Sequence, residues 1–364
     1  MTLPAAQQEA GFDAAALDAY LRGAVDGLSG PMRLERIGGG QSNPTFFVSY
    51  DDRALVLRKQ PPGELLPSAH AIDREYRVIS ALSRTGVSVP PALLYCQDRS
   101  IVGTPFYLME KVEGRVFHDC TLPGLAPQER NAMYASLAQT LAALHNVDVA
   151  AVGLADYGKP GNYFARQIAR WGRQWDLSRS RDDAHIDHLR AWLPEHVPAN
   201  ETVSLVHGDY RIGNAMFHPT EPRVVALLDW ELSTLGHPLA DLAHTAIAWL
   251  SRPDEYGGVA GFDLDALGLP DLDRFAALYG SQARHGQTLQ PFHLAFALFR
   301  WAVIFEGIAA RARAGNASAD NAAETGRLAA AFARRAAELT AWKTPVSPGT
   351  QQAGRGASDG RGRD

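Results

Sequence analysis

The sequence predicts an α+β fold in two lobes, a small one of antiparallel strands and a larger one that is mostly helical. Three observations predict it. Strand-like apolar runs crowd the first third of the chain, in Leu34–Tyr50, Ala54–Lys59 and Pro105–Val112. Beyond Pro127, apolar residues return at helical spacing in Pro127–His145, residues 160–197, Leu239–Leu250, Asp271–Gly280, Pro291–Arg313 and Asn321–Trp342. Between these segments, Ala215–Phe217 and Val224–Leu228 flank the turn Pro219-Thr-Glu-Pro222 and read as a β-hairpin.

In chain order, Phe12–Leu28 carries apolar residues near helical spacing and forms an amphipathic leading helix. Two strand runs follow, joined by the glycine-rich turn Gly38-Gly-Gly-Gln-Ser-Asn43. Glycines let a backbone approach phosphates closely and aim amide N–H groups at them. The next strand ends in Arg58-Lys59, and alternation places these two cations on opposite faces, so only one can enter a cleft. Ser68–Arg84 is helical by the stripe Ala71, Ile72, Tyr76, Ile79 and Leu82. After the Pro90-Pro91 break, the strand Pro105–Val112 is closed by Gly114.

With 364 residues, 46% of them hydrophobic, the chain can bury a large core. Its net charge of −5 gives no pull toward nucleic acid. Cys96 and Cys120 stand far apart without metal-ligand spacing, which excludes a disulfide scaffold and a zinc centre. No leader-like start and no run of 18 or more apolar residues occurs, so a cytoplasmic protein without a membrane partner is expected. The expected organisation is a loose N-terminus and leading helix over 1–29, a small lobe over 30–111, a large lobe over 112–344 and a disordered tail over 345–364. The tail lacks the apolar content to order itself.

The polar signal is concentrated in Leu205–His218 and Val224–Glu231. It comprises His207-Gly208-Asp209, then Asn214 five residues after the aspartate, then Asp229. That five-residue interval is the one between the catalytic Asp and the metal-binding Asn in kinase catalytic loops. The hairpin brings its two outer ends to one edge, so Asn214 and Asp229 converge beside Asp209. Oxygen-bearing side chains there can hold a hard divalent ion, which typically takes one or two protein carboxylates plus substrate phosphates.

With these residues the chain resembles the aminoglycoside phosphotransferase-like family of small-molecule kinases, whose signature is His-Gly-Asp, four residues, Asn, then a hairpin ending in Asp. More narrowly, it resembles phosphotransferase domains related to the kinase-like part of acyl-CoA dehydrogenase fusion proteins. The matching phrases are Leu57-Arg-Lys-Gln-Pro-Pro-Gly63, Asp73-Arg-Glu-Tyr-Arg77, Arg166-Gln-Ile-Ala-Arg-Trp171 and Asp229-Trp-Glu-Leu-Ser-Thr-Leu-Gly236. The resemblance runs from about Arg33 to Trp342. It implies a protein-kinase-like fold with ATP and Mg²⁺ between the lobes and a hinge near residue 110.

By the same resemblance, Asp209 is catalytic, and Asn214 and Asp229 hold the metal. The nucleotide meets Gly39, Gly40, Ser42 and Asn43 of the turn and Arg58, which is chosen over Lys59. Glu75 pairs with that strand cation, while the hinge backbone at Glu110 and Val112 meets adenine. Lys59 is then a solvated edge charge, His207 props the loop, and Asp241 accepts backbone N–H groups of the loop. A protein kinase is disfavoured, since Asp229-Trp-Glu replaces Asp-Phe-Gly and no activation segment fits before Ala240. A nucleotide-binding pseudokinase remains the rival class.

The partner is a small-molecule hydroxyl acceptor. Lys159–Trp175 carries Lys159, Arg166, Arg170 and Arg173 without an acid, and Pro291–Gly315 adds His293, Arg300, Arg311 and Arg313 against Glu306 alone. Such faces suit an anionic acceptor with an apolar part, a hydroxyacyl-CoA or hydroxy acid. An aminoglycoside, macrolide or amino-alcohol acceptor is the alternative.

Overall fold

The computed structural model describes residues 11–38, 43–63, 71–313 and 322–341. Gly39, Gly40 and Ser42, the first ten residues, the expected helix start at Ser68 and the tail 345–364 lie outside the described residues.

The small lobe is a five-stranded antiparallel sheet of order β1-β2-β3-β5-β4. Its strands are β1 (Arg33–Arg36), β2 (Thr45–Ser49), β3 (Ala54–Lys59), β4 (Ala92–Cys96) and β5 (Phe106–Glu110). Helix α1 (Ala14–Ala24) starts where the Asp13 carboxylate accepts the N–H groups of Ala15 and Ala16. It lays Leu17, Leu21 and Val25 on one sheet face, against Phe46, Val48, Leu55, Leu57, Phe106 and Leu108. Helix α2 (Ile72–Leu82) covers the other face, and its Val78, Ile79 and Leu82 share a core with Tyr107 and large-lobe residues such as Leu137 and Leu205.

Two expectations are corrected here. The Pro90-Pro91 pair introduces a strand, because β4 is an edge strand and the prolines precede its pairing with β5. Lys59 is not a solvated edge charge: it is 6% exposed, donates to the Val102 carbonyl and stands 4.7 Å from the Phe12 ring. The reason is tertiary, since α1 and the short α3 (Arg99–Val102) cover that sheet face. Burial lowers its ammonium pKa.

The large lobe contains β6 (Arg115–Val116), α4 (Pro127–His145), α5 (Tyr163–Ser178) and α6 (Ala184–Glu195). Next come β7 (Ser204–Val206), β8 (Ala215–Phe217), β9 (Val224–Leu227), β10 (Thr234–Gly236) and α7 (Pro238–Leu250). Short α8 (Pro253–Tyr256) and α9 (Leu264–Leu267) precede α10 (Leu272–Gly280), α11 (Pro291–Arg313) and α12 (Ala322–Glu338). The β8–β9 hairpin forms around Pro219-Thr-Glu-Pro222, with Ala215 opposite Leu227, and β6 adds a third strand. Helix α11 is long and apolar enough to cross a membrane by length and composition. However, 78% of its most apolar window is buried in this fold, where it packs on α12, α5 and α7.

Candidate active site

The site grows from the loop after β7, a strand held by β10 with Val206 opposite Thr234. Gly208 has φ +84°, and a Cβ there would come 2.5 Å from the Leu232 carbonyl oxygen, so the loop needs a glycine. Asp241 on the first turn of α7 accepts the His207 N–H at 2.6 Å and the Gly208 N–H at 2.9 Å. His145 approaches the same carboxylate at 3.3 Å. Burial pushes the Asp241 carboxyl up, but the His145 and backbone donors outweigh it, and its pKa lies below the ordinary value.

His207 is fully buried. Its Nε2 meets the Leu228 carbonyl at 2.8 Å, and its Nδ1 accepts the Asp209 N–H at 3.3 Å. It therefore ties the loop to the hairpin end and leaves no proton free for transfer. The Leu228 N–H returns to the Asn214 carbonyl at 2.8 Å, which closes the hairpin beside the loop.

Asp209 is held at both oxygens. Oδ1 is 2.8 Å from His244 Nε2, while Oδ2 accepts Asn214 Nδ2 at 2.7 Å and Arg211 Nε at 3.3 Å. Burial raises its carboxyl pKa, but the His244 hydrogen bond and the nearby His244, Arg211 and His207 more than reverse this, holding it well below the usual carboxylate range. Asn214 ends a single 3₁₀ turn, Ile212–Asn214. Its Nδ2 also bonds the Asp209 carbonyl at 2.8 Å, so the amide oxygen is the atom turned away from Asp209.

Asp229 follows β9 with φ 64°, a left-handed backbone at a non-glycine residue. Such a conformation costs roughly 1–3 kcal/mol and clusters at functional sites. Its carboxylate is 39% exposed and faces Arg58 Nη2 at 3.4 Å. Arg58 also meets Glu75 at 2.8 Å, and Glu75 in turn takes the Tyr107 hydroxyl at 3.2 Å and Asn43 Nδ2 at 2.6 Å. Burial raises the Glu75 pKa, with Arg58 opposing.

The fold thus gathers Asp209, Asn214, Asp229, Arg58 and Glu75. Two nucleotide expectations are narrowed to particular backbone atoms. The Asn43 side chain is 3% exposed and bound to Glu75, so a phosphate contact at this residue would come from its backbone. The Glu110 N–H is committed to the Pro91 carbonyl at 2.9 Å, and Pro91 has no N–H to return, so an adenine contact at this residue would use the Glu110 carbonyl. Val112 lies just past the strand end, in the segment linking the lobes.

Sequence reasoning missed His244. It stands three residues after Asp241 on α7, hence on the same helix face, and that i, i+3 relation was the available signal. It also missed a cavity of about 540 Å³ beside His244 and Arg211, lined by Tyr134, Trp249, Tyr256 and Trp301 among others. The cavity's two acids are already paired, Asp254 with Arg252 at 3.3 Å and Glu255 with Arg335 at 2.8 Å.

Comparison with known proteins gives the same picture. The family model described as a phosphotransferase enzyme family matches residues 33–278. Acyl-CoA dehydrogenase family member 10 of Mus musculus is 39% identical over 374 residues, covering 94% of this chain and 34% of that protein. Acyl-CoA dehydrogenase family member 11 of Homo sapiens is 39% identical over 318 residues, covering 85% and 41%. The chain therefore spans well under half the length of these relatives. A crystal structure from Ralstonia eutropha, assigned by name to the aminoglycoside phosphotransferases, is 44% identical with a TM-score of 0.84, covering 91% of this chain and 98% of that one. A thermostable mutant of aminoglycoside phosphotransferase APH(4)-Ia, in ternary complex with AMP-PNP and hygromycin B, has a TM-score of 0.59 at 16% identity over 90% and 100%. That likeness is one of fold alone. With the His207–Asp229 geometry, these matches make the chain a member of the phosphotransferase enzyme family, with its kinase-like α+β fold.

Proposed function

We propose that the chain transfers the γ-phosphoryl of ATP to a hydroxyl of a small molecule bound in the cavity beside His244. What supports this is Asp209, bonded at one oxygen to His244 and at the other to Arg211, both of which line the cavity, and to Asn214, whose carbonyl takes the Leu228 N–H beside Asp229. Asp209 would accept the hydroxyl proton as the oxygen attacks phosphorus. With a loose transition state, most of the work is positioning and charge neutralisation. The Asn214 amide oxygen and the Asp229 carboxylate fit Mg²⁺, a hard ion that takes oxygen ligands. When bound, that ion supplies charge neutralisation and orientation of the phosphates. Arg58, held by Glu75, adds a cation on the same side.

For the acceptor we favour an anionic molecule with an apolar part, a hydroxyacyl-CoA or other hydroxy acid. The aromatic cavity wall supports the apolar part, and Arg211 supplies a lining cation. Buried donors Arg166 Nη1, Trp171 Nε1 and Arg300 Nε meet no partner among the described residues. Arg300 Nη2 itself bonds the Gly208 carbonyl at 2.9 Å, next to Asp209. Of the other basic residues on these faces, Arg170 and Arg173 are solvent-exposed, and His293 is core, stacked on His237. The relatives named acyl-CoA dehydrogenases favour the same class. The aminoglycoside phosphotransferases named above favour an aminoglycoside, but a polycation needs free carboxylates, and both cavity acids are paired. Retention of Asp209, Asn214 and Asp229 argues against a pseudokinase.

The test is Mg·ATP consumption across hydroxyacyl-CoA species, hydroxy acids, choline, macrolides and kanamycin, with a hydrolysis control. Saturable turnover with hydroxyacyl-CoA or hydroxy acids is expected. Efficient phosphorylation of kanamycin with no response to hydroxyacyl-CoA contradicts the acceptor class, and absence of Mg·ATP binding contradicts the whole reading.

A further inference from the structure

His244 is 4% exposed, lies on the α7 face that also carries Asp241 and Thr245, and lines the cavity. Thr245 Oγ1 bonds the Tyr210 carbonyl at 2.9 Å, so this helix face is fastened to the loop on both sides of Asp209. An ionised carboxylate only accepts hydrogen bonds, so the 2.8 Å contact places a proton on His244 Nε2. Nδ1 is buried and meets no partner among the described residues. Trp301 stacks on the ring at 5.6 Å and 30° and closes its far side. A second proton on Nδ1 would charge a ring that burial and Arg300 both keep neutral, although Asp209 and Asp241 oppose them.

From this geometry we propose that His244 is a positioning residue for the phosphoryl transfer. Its neutral ring donates from Nε2 to Asp209 Oδ1 and fixes the carboxylate's orientation at the cavity wall. In the step, the acceptor O–H bond breaks as the new O–P bond forms, and the bond from phosphorus to the leaving oxygen of ADP breaks. The acceptor proton goes to the Asp209 carboxylate, and His244 keeps its own proton throughout. The charge-assisted bond fixes the base where a side chain with two free torsions would otherwise wander. This role rests on the function proposed above.

The experiment compares His244→Met with His244→Gln in the full chain. Both side chains fill similar space against Trp301, but only the glutamine amide can donate to Asp209. Mg·ATP turnover is measured with water and with hydroxybutyryl-CoA as acceptor, with melting temperature as a check on folding. His244→Met is expected to lower kcat roughly ten- to hundredfold, the range for losing one hydrogen bond to a charged group, with KM for ATP unchanged. His244→Gln should recover most of kcat, and in the Asp209→Asn background His244→Met should cost nothing further. Equal rates for the Met and Gln variants, or an effect on KM alone, overturns the proposal. Should the Met variant fail to fold, ¹⁵N-histidine NMR of the wild type decides. A neutral Nε2–H tautomer whose shift moves in Asp209→Asn supports the role, and an Nδ1–H tautomer or an imidazolium overturns it. Wild-type protein that does not bind Mg·ATP, or full activity in Asp209→Asn, removes the phosphotransfer reading itself; if neither acceptor is used, the NMR readout alone decides His244. Equal Met and Gln rates with an inactive Asp209→Asn remove only His244.

Discussion

On the large-lobe side of the cleft, Asp209 is 19% exposed and held by three side chains, while the backbone before it is held by Asp241. On the side facing the small lobe, Asp229 is 39% exposed, meets one arginine at 3.4 Å and occupies a left-handed backbone. The contrast fits the roles proposed for the two carboxylates. A group that orients a hydroxyl must be in place before the acceptor arrives, and every donor around Asp209 contributes to that. A group that takes a metal ion gains its order from the ion, so protein donors there would compete with it.

Breaking the braced side should cost most. Asp241→Ala leaves the His207 and Gly208 N–H groups and His145 without their acceptor in a fully buried place. A loss of about 3–5 kcal/mol of stability is expected, read as a fall in denaturant midpoint, together with loss of turnover. A midpoint within experimental error of wild type would mean the loop is not held through α7.

On the looser side the effect should fall on the ligand and not on the fold. Asp229→Ala should abolish productive Mg·ATP binding in calorimetry, and Asn214→Ala should weaken it less, losing a neutral oxygen. Asp229→Gly sharpens the contrast, since glycine relieves the left-handed backbone: the free protein should gain up to about 1 kcal/mol while Mg·ATP binding is lost. Unchanged Mg·ATP affinity in Asp229→Ala would move the metal site elsewhere.

A smaller effect concerns acid. Burial pushes both His237, which caps α7, and its stacked neighbour His293 down to about 4 from an ordinary 6.5. Because the folded values lie below the unfolded one, their contribution is complete above pH 6.5. It is lost as pH falls toward 4, where the unfolded chain binds protons that the folded chain refuses. The melting temperature should decline across that window, and His293→Phe should flatten the slope. An unaltered slope would exclude this pair as the acid-sensitive element.

The same two sides differ in how much the sequence reveals of them. The Asp209–Asn214 interval, the hairpin around Pro219-Thr-Glu-Pro222 and the helix bearing Asp241 are local patterns, and the fold repeats them nearly residue for residue. The fate of Lys59 is not local, because only docking of α1 and α3 decides which sheet face is covered. Which atoms of Asn43 and Glu110 stay open is hidden for a similar reason: the Asn43 amide is held by Glu75 and the Glu110 N–H by Pro91, partners from other elements. His244 stands 35 residues from Asp209, and helical spacing gives its face without saying what that face meets. The cavity draws walls from α4, α7, α8, α11 and α12, so no single stretch carries its trace.

The central claim is that Asp209 serves the acceptor and not the nucleotide. Calorimetry of Mg·ATP binding paired with turnover on the same Asp209→Asn preparation tests it most directly. The expected result is near wild-type Mg·ATP affinity with turnover reduced by at least about 10²-fold, the lower range for a positioned acid or base. Turnover close to wild type on an accepted hydroxyl substrate, or lost nucleotide affinity accounting for the whole defect, would contradict it.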